Sequence, residues 1–155
     1  MLDISYFTNI VPIQEMRDDD QECSEMLIAL SQDADNFIAS HRWCPSIKEK
    51  FYGFGVGYIV AVFLYHFDLP INGTDDWLWV IVGDIPSAYL VVDAASSPME
   101  TLERYCELME DWANNIMLGN STENCFPVVA APTRENAQLL LSRTNFIRKR
   151  MICSS

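Results

Sequence analysis

The chain has 155 residues, half of them hydrophobic and 12% aromatic, which suits one folded domain with a sizeable core and argues against extensive disorder. Its formal net charge of −12 argues against binding of nucleic acid or anionic membranes and favours a basic protein partner. The chain has five widely spaced cysteines and no recognisable signal peptide. Its longest apolar run, Val56–Phe67, is too short to span a bilayer. These features indicate a reduced, cytoplasmic protein.

The N-terminal part of the chain predicts one helix and one short helical turn. Residues 1–20 show no clear period, and we expect a poorly ordered segment or an N-terminal arm there. The acidic run Asp18–Asp20 then stands where a helix N-terminus favours negative charge. Apolar residues recur at helical spacing after it and predict a helix over Gln21–Ser40. Ser46 is expected to cap a helical turn over Ile47–Phe51.

The middle of the chain predicts three strands joined by tight turns. Tyr58–Phe67 is rich in β-branched and aromatic residues and is apolar on both faces, which predicts a central strand covered on both sides. Asn72-Gly73 marks the turn into a second strand, Trp77–Val82. The Gly83-Asp84-Ile85-Pro86 turn then leads into a third strand, Ala88–Val92.

The C-terminal part predicts two further helices. Ser97-Pro98-Met99-Glu100 combines an N-cap serine, a proline at the first helical position and a glutamate that completes a capping box. An apolar stripe continues from there to Gly119, which ends the helix. Pro127–Ala131 is expected to form a short edge strand, and the last helix is predicted from Thr133 through about Met151.

Together these elements predict an α+β fold. We expect a single domain over residues 1–155, with a three- to four-stranded, mostly antiparallel meander packed with about three helices.

The second helix carries the candidate site that we weigh most. Five acidic residues lie opposite its apolar stripe and are the predicted partner-binding residues: Glu100, Glu103, Glu107, Glu110 and Asp111. Arg104 alone offsets them, and like charges at i, i+4 each cost about 0.2–0.5 kcal/mol. A basic partner would relieve that repulsion, whereas the alternative is a plain solvated helix face.

A weaker alternative site would use nucleophilic or acid–base chemistry. Its candidate residues are His41, Cys44, His66 and Asp84. A cysteine with a nearby histidine can act as nucleophile and base, and strand-end aspartates can hold a divalent cation. The spacing matches no catalytic or metal-binding motif, so we predict no catalytic residue, no metal and no cofactor.

Self-assembly is a further alternative. Trp77 and Trp79 point to the same face of the second strand and are expected to lie in the core. If they were exposed, they would make an interface anchor, and the edge of the third strand could pair with a second copy to give a homodimer.

Several segments carry a resemblance to a known family. They are Trp43-Cys44-Pro45, Gly55-Val56-Gly57-Tyr58, the run from Trp77 through Leu90, the helix from Tyr105 to Trp112, and Pro132-Thr133-Arg134-Glu135-Asn136-Ala137. Over about Trp43 to Ile152 the chain resembles a family of small bacterial proteins of unknown function. That resemblance implies a bacterial, cytosolic, single-domain protein and transfers no activity or ligand. Size, acidity and α+β class are also similar to those of polymorphic-toxin immunity proteins.

We therefore expect a non-enzymatic interaction protein, of inhibitor or immunity type, that binds a basic partner through the acidic helix face. A small cysteine- or metal-dependent hydrolase and a self-assembling structural subunit are the alternatives.

Overall fold

The computed structural model describes residues 3–16, 21–71 and 75–154, with side chains described for 3–16, 24–71 and 75–150. The predictions for Asp18–Asp20, for the Asn72-Gly73 turn and for the Met151 side chain lie outside these residues.

Within the described residues, the protein has one five-stranded antiparallel sheet. The strands follow chain order across it: β1 (Val11–Pro12), β2 (Ile47–Val56), β3 (Val60–Phe67), β4 (Trp77–Gly83) and β5 (Ala88–Val91). The predicted α+β class and antiparallel meander are confirmed. The predicted count of three to four strands is too low, because β1 and β2 extend the sheet beyond β3.

Three α-helices accompany the sheet in the described part of the chain: α1 (Gln21–Ala39), α2 (Pro98–Met117) and α3 (Arg134–Ser154). All three were predicted at close to these bounds. Short 3₁₀ helices lie at Ile4–Tyr6, Ile13–Glu15 and Val92–Ala94. None of the described helices combines the length and apolar character needed to cross a membrane.

Two local predictions were wrong. Ile47–Phe51 is the first half of β2 and not a helical turn, because it pairs in antiparallel register with the end of β3. That long-range ladder supplies the backbone hydrogen bonds that a local turn would otherwise have to make. Pro127–Ala131 forms no strand, and its Val128 and Ala130 pack as irregular chain against the core.

The sheet is covered on both faces, as the apolar pattern of β3 predicts. Val62, Leu64 and Trp79 belong to the core on one face, which α2 and α3 complete. Phe63 and Val80 point to the other face, where α1 covers them. The result is three layers, with the sheet between one helix and a pair of helices.

A largely buried lysine ties α1 to the sheet. The Lys50 side chain of β2 is only 10% exposed, and its Nζ lies 2.9 Å from Asp35 Oδ1 of α1. Nζ also donates to the Ser31 carbonyl oxygen at 3.0 Å and to the Ser31 hydroxyl. Tyr65 donates its hydroxyl to the same Asp35 oxygen at 2.5 Å. Burial lowers the pKa of Lys50, and Asp35 opposes that shift. The contacts of Lys50 and Tyr65 with Asp35 and Ser31 fix where α1 lies over the strands.

Gly53 lets α2 approach β2 closely. A Cβ atom at this position would lie 2.6 Å from Pro98 Cγ and 3.2 Å from the Val62 carbonyl oxygen. Since Pro98 opens α2, the absence of a side chain at Gly53 sets how near the start of that helix lies to the sheet.

We expect Gly53→Ala to lower the free energy of unfolding by about 1–3 kcal/mol, because the new methyl group overpacks the contact with Pro98. Urea unfolding of the variant, of Pro98→Ala and of the double variant measures this. The double variant should lose less than the sum of the two single losses, since Pro98→Ala removes the clashing Cγ atom. A neutral or stabilising Gly53→Ala would contradict this account of the packing.

Candidate functional site: the outer face of helix α2

The structure gives the five predicted acidic residues of α2 different roles. Glu100 caps the start of the helix in a variant of the predicted capping box, because its carboxylate accepts from the backbone N–H of Ser96 and not from that of the N-cap Ser97. Its Oε1 accepts from the Ser96 hydroxyl at 2.9 Å and the Ser96 backbone N–H at 3.2 Å, and the Ser97 hydroxyl lies 3.3 Å away. The Glu100 N–H in turn donates to Ser97 Oγ at 3.2 Å. These hydrogen bonds, chiefly those from Ser96, lower the pKa of Glu100.

Glu110 is engaged inside the protein. Arg148 of α3 binds it in a bidentate manner, with Nη2 to Oε1 at 2.7 Å and Nε to Oε2 at 2.9 Å. This ion pair lowers the pKa of Glu110 and raises that of Arg148. Glu110 therefore joins α2 to α3, and its charge is largely neutralised within the chain.

The remaining acidic residues of α2 are exposed. Glu107 lies 3.1 Å from Arg104, and both side chains are half exposed. Glu103 has no ion pair among the described residues, and Asp111 accepts a long hydrogen bond of 3.4 Å from Asn115. Glu103 and Glu107 are thus both exposed to solvent.

Asp93 joins this surface from outside the helix. It lies in the 3₁₀ helix that follows β5, and together with three α2 carboxylates it lines an open concavity of about 410 Å³. We call Asp93, Glu100, Glu103 and Glu107 the acidic face; Arg104 also lines the concavity. Asp93 directly follows the predicted third strand, Ala88–Val92, and only the return of α2 past the end of β5 brings it to the helix.

His41 and Cys44, from the weaker alternative site, lie near the end of α1. His41 Nδ1 is 3.0 Å from the Phe37 carbonyl oxygen, so it can donate to a carbonyl in the last turn of α1, which the Ser40 hydroxyl also donates to. The Cys44 thiol donates to the Pro45 carbonyl oxygen at 3.3 Å, and burial raises its pKa. A raised pKa lowers the thiolate fraction, which is the opposite of what a nucleophilic cysteine needs.

His66 lies near one end of the sheet. Its Nε2 is 2.8 Å from Asp76 Oδ2, and its ring stacks on Trp77 with 3.9 Å between ring centroids. His66 Nδ1 is buried and makes no hydrogen bond with the described residues. The ring is therefore held on both its face and its Nε2 edge by neighbouring residues.

Asp84 lies near the other end of the sheet. It follows Gly83, which pairs with Val60, six residues along β3 from His66. At about 3.3 Å per residue, this separates Asp84 from His66 by about 20 Å. Asp84 Oδ2 instead lies 2.5 Å from Nη2 of Arg143 beside a cavity of about 290 Å³. The structure does not bring the four alternative residues together.

The two tryptophans of β4 are buried, as expected for core residues. Trp77 is 2% exposed and Trp79 is fully buried, with its Nε1–H donating to the Ala95 carbonyl oxygen at 2.9 Å. An interface built on exposed Trp77 and Trp79 is therefore wrong.

No group of three or more histidine, cysteine, aspartate or glutamate side chains in the described part of the chain is arranged to hold a metal ion. Comparison with protein-family models, with curated proteins and with solved structures finds no match to this chain. The resemblance to a family of small bacterial proteins, and the similarity to immunity proteins, stay predictions.

The Glu110–Arg148 ion pair makes stability depend on pH. Because the folded-state pKa of Glu110 is lowered, its contribution is present above the unfolded-state value of about 4.3 and is lost as pH falls through the folded-state value. We expect stability to fall more steeply below pH 5 in the native protein than in Glu110→Gln. The difference should be about 1 kcal/mol, because both side chains are partly exposed.

Chemical denaturation at pH 7, 5 and 3 measures this difference. Glu107→Gln is the matched control, because its pair with Arg104 is half exposed and should contribute little. Equal pH dependence in native protein and Glu110→Gln would contradict the assignment.

Proposed function

We propose that this protein is a non-enzymatic binding module that holds a basic protein partner against the acidic face. The observation that carries the proposal is the concavity lined by Asp93, Glu100, Glu103 and Glu107, with Arg104 as its one cationic side chain. An inhibitor or immunity-type role fits this surface, since such proteins act by occupying a partner.

The electrostatics of the chain support a basic partner. Its net charge of −12 creates a negative field that speeds the approach of a cation and slows that of an anion. Glu103 and Glu107 repel each other at i, i+4 by about 0.2–0.5 kcal/mol, and the attraction of a bound lysine or arginine to both carboxylates would offset that repulsion. The acidic face is therefore better satisfied in a complex than alone.

The hydrolase alternative receives less support. His41 is used at a helix end, the Cys44 pKa is raised, His66 is bound by Asp76, and Asp84 is bound by Arg143 far from His66. Each group has a structural partner, and the separation of about 20 Å between Asp84 and His66 keeps the four residues out of one common site.

The ion pair between Glu110 and Arg148 determines which charge-reversal variants can test this proposal. Glu110→Lys would place a lysine against Arg148 and destabilise the contact between α2 and α3, so a loss of binding would be ambiguous. Glu103→Lys with Glu107→Lys changes exposed groups only. We expect this double variant to bind the partner at least tenfold more weakly while its thermal stability stays within about 0.5 kcal/mol of the native protein.

The measurement is capture of partners from a lysate of the native host, followed by titration with the purified basic partner at low and high salt. Asp33→Lys with Glu49→Lys is the matched control: it changes the net charge equally at exposed positions of α1 and β2. Binding should weaken with salt and survive in this control. Unchanged affinity in the Glu103/Glu107 variant would remove the acidic face as the interface.

A further inference from the structure

We propose that the open edge of β5 receives an extended segment of the basic partner, which pairs with the sheet as an added strand. This inference rests on the proposed function and names the form in which the partner binds. It is carried by the backbone of β5 and by the cavities beside that strand.

The hydrogen-bond pattern shows which β5 groups face outward. The Phe67 N–H donates to the Asp76 carbonyl oxygen at 2.8 Å, and the Asp84 N–H to the Ile59 carbonyl oxygen at 3.1 Å. Pairs in an antiparallel ladder alternate between bonded and non-bonded, so these two bonds fix the phase of the β3–β4 ladder. In this phase, Leu78 and Val80 direct their backbone groups toward β3.

The intervening residues of β4, Trp79 and Ile81, consequently direct their backbone groups toward β5. Their partners there are Leu90 and Ala88. The N–H and C=O groups of Tyr89 and Val91 must then point away from the sheet. The Val91 C=O is the N-cap acceptor of the 3₁₀ helix at Val92–Ala94 and is therefore engaged. The groups of this edge that have no partner in an adjacent strand are the Tyr89 N–H and C=O and the Val91 N–H.

The two edges of the sheet differ in how they are protected. The β1 edge is a two-residue strand that includes Pro12, and short strands and prolines both discourage pairing. The β5 edge reads Ala-Tyr-Leu-Val, without a charge, a proline or a glycine, and its Val91 side chain is 56% exposed. Of these two edges, β5 is the one suited to pair with another strand.

Two cavities border Tyr89. One of about 120 Å³ is lined by Trp43, Leu78 and Val91 among others, and one of about 230 Å³ by Phe37, His41 and Pro127 among others. Tyr89 lines both. An added strand sends alternate side chains to the same face, so an apolar segment could fill these cavities while its backbone pairs with β5.

Two kinds of strand could pair with the β5 edge: a second copy of this chain, or a basic segment of another protein. Charge distinguishes between them. Asp93 lies two residues beyond Val91 and belongs to the acidic face, so a strand that continues past Val91 reaches carboxylates. A second copy of this chain would bring another net charge of −12 to the contact. A basic segment brings the opposite charge, which makes it the favoured occupant.

Val91→Pro tests the backbone pairing directly. Val91 has φ −69°, close to the value that proline requires, and its N–H points outward, so the substitution should leave the β4–β5 ladder intact. Val91→Ala is the matched control, because it removes the exposed side chain and keeps the N–H group. Both variants should keep the native melting temperature within a few degrees.

The probes are two synthetic peptides of six alternating valine and threonine residues, one with two lysines at its N-terminal end and one with two lysines at its C-terminal end. Both are needed because the added strand can run parallel or antiparallel to β5. Matching peptides with two glutamates are the charge controls. Fluorescence anisotropy at low salt measures affinity, and amide hydrogen exchange follows the N–H groups of Tyr89 and Val91. We expect one lysine peptide to bind the native protein and Val91→Ala, to protect these amides, and to bind Val91→Pro at least tenfold more weakly.

The following outcomes would overturn the inference. The first is no binding of either lysine peptide to the native protein, or equal binding of the glutamate peptides. The second is a bound peptide that leaves the Tyr89 and Val91 amides unprotected. This measurement uses the native protein and does not depend on the folding of any variant. The third is a concentration-dependent dimer of the native protein that Val91→Pro dissociates, which would assign the edge to a second copy. The acidic-face variants test the proposed function separately, so partner binding that is lost in Glu103→Lys/Glu107→Lys and retained in Val91→Pro would reject only the added strand.

Discussion

The burial of β3 and β4 on both faces is the constraint on which the rest of the structure depends. Every residue of β3 except His66 is buried, and so is every residue of β4 up to Val82. Two such strands need paired neighbours for their backbone groups and apolar cover for both sets of side chains. Strands β2 and β5 supply the first, and the helices on either face supply the second.

The surfaces proposed for function are those that this packing leaves exposed. Helix α2 turns its apolar stripe inward, where Leu102, Tyr105 and Met109 are fully buried, so its carboxylates face outward. Since β4 needs a neighbour and the chain ends its meander at β5, that strand becomes the edge of the sheet. The 3₁₀ helix at Val92–Ala94 then carries Asp93 from the end of the edge strand to the acidic face.

Glu103 and Glu110 show why a site is harder to predict than a helix. They lie two turns apart on α2, and the sequence pattern placed both on the same outward face. In the structure Glu110 is bound by Arg148 of α3, whereas Glu103 is exposed without an ion pair among the described residues. The difference depends on a residue 38 positions further along the chain, which no local pattern on α2 contains. The burial of Lys50 likewise depends on contacts with Asp35 and Ser31 of α1, which no local pattern around Lys50 contains.

The sequence by itself determined the elements whose signals are local: the capped start of α2, its end near Gly119, the doubly apolar β3 and the Gly83–Pro86 turn between β4 and β5. These follow from side-chain periodicity and from backbone preferences within a few residues. The tertiary structure alone decided that Ile47–Phe51 is a strand, that Pro127–Ala131 is not, and which carboxylates remain free. Those outcomes depend on pairing and charge contacts between segments far apart in sequence, whose energies are comparable to the local preferences that they override.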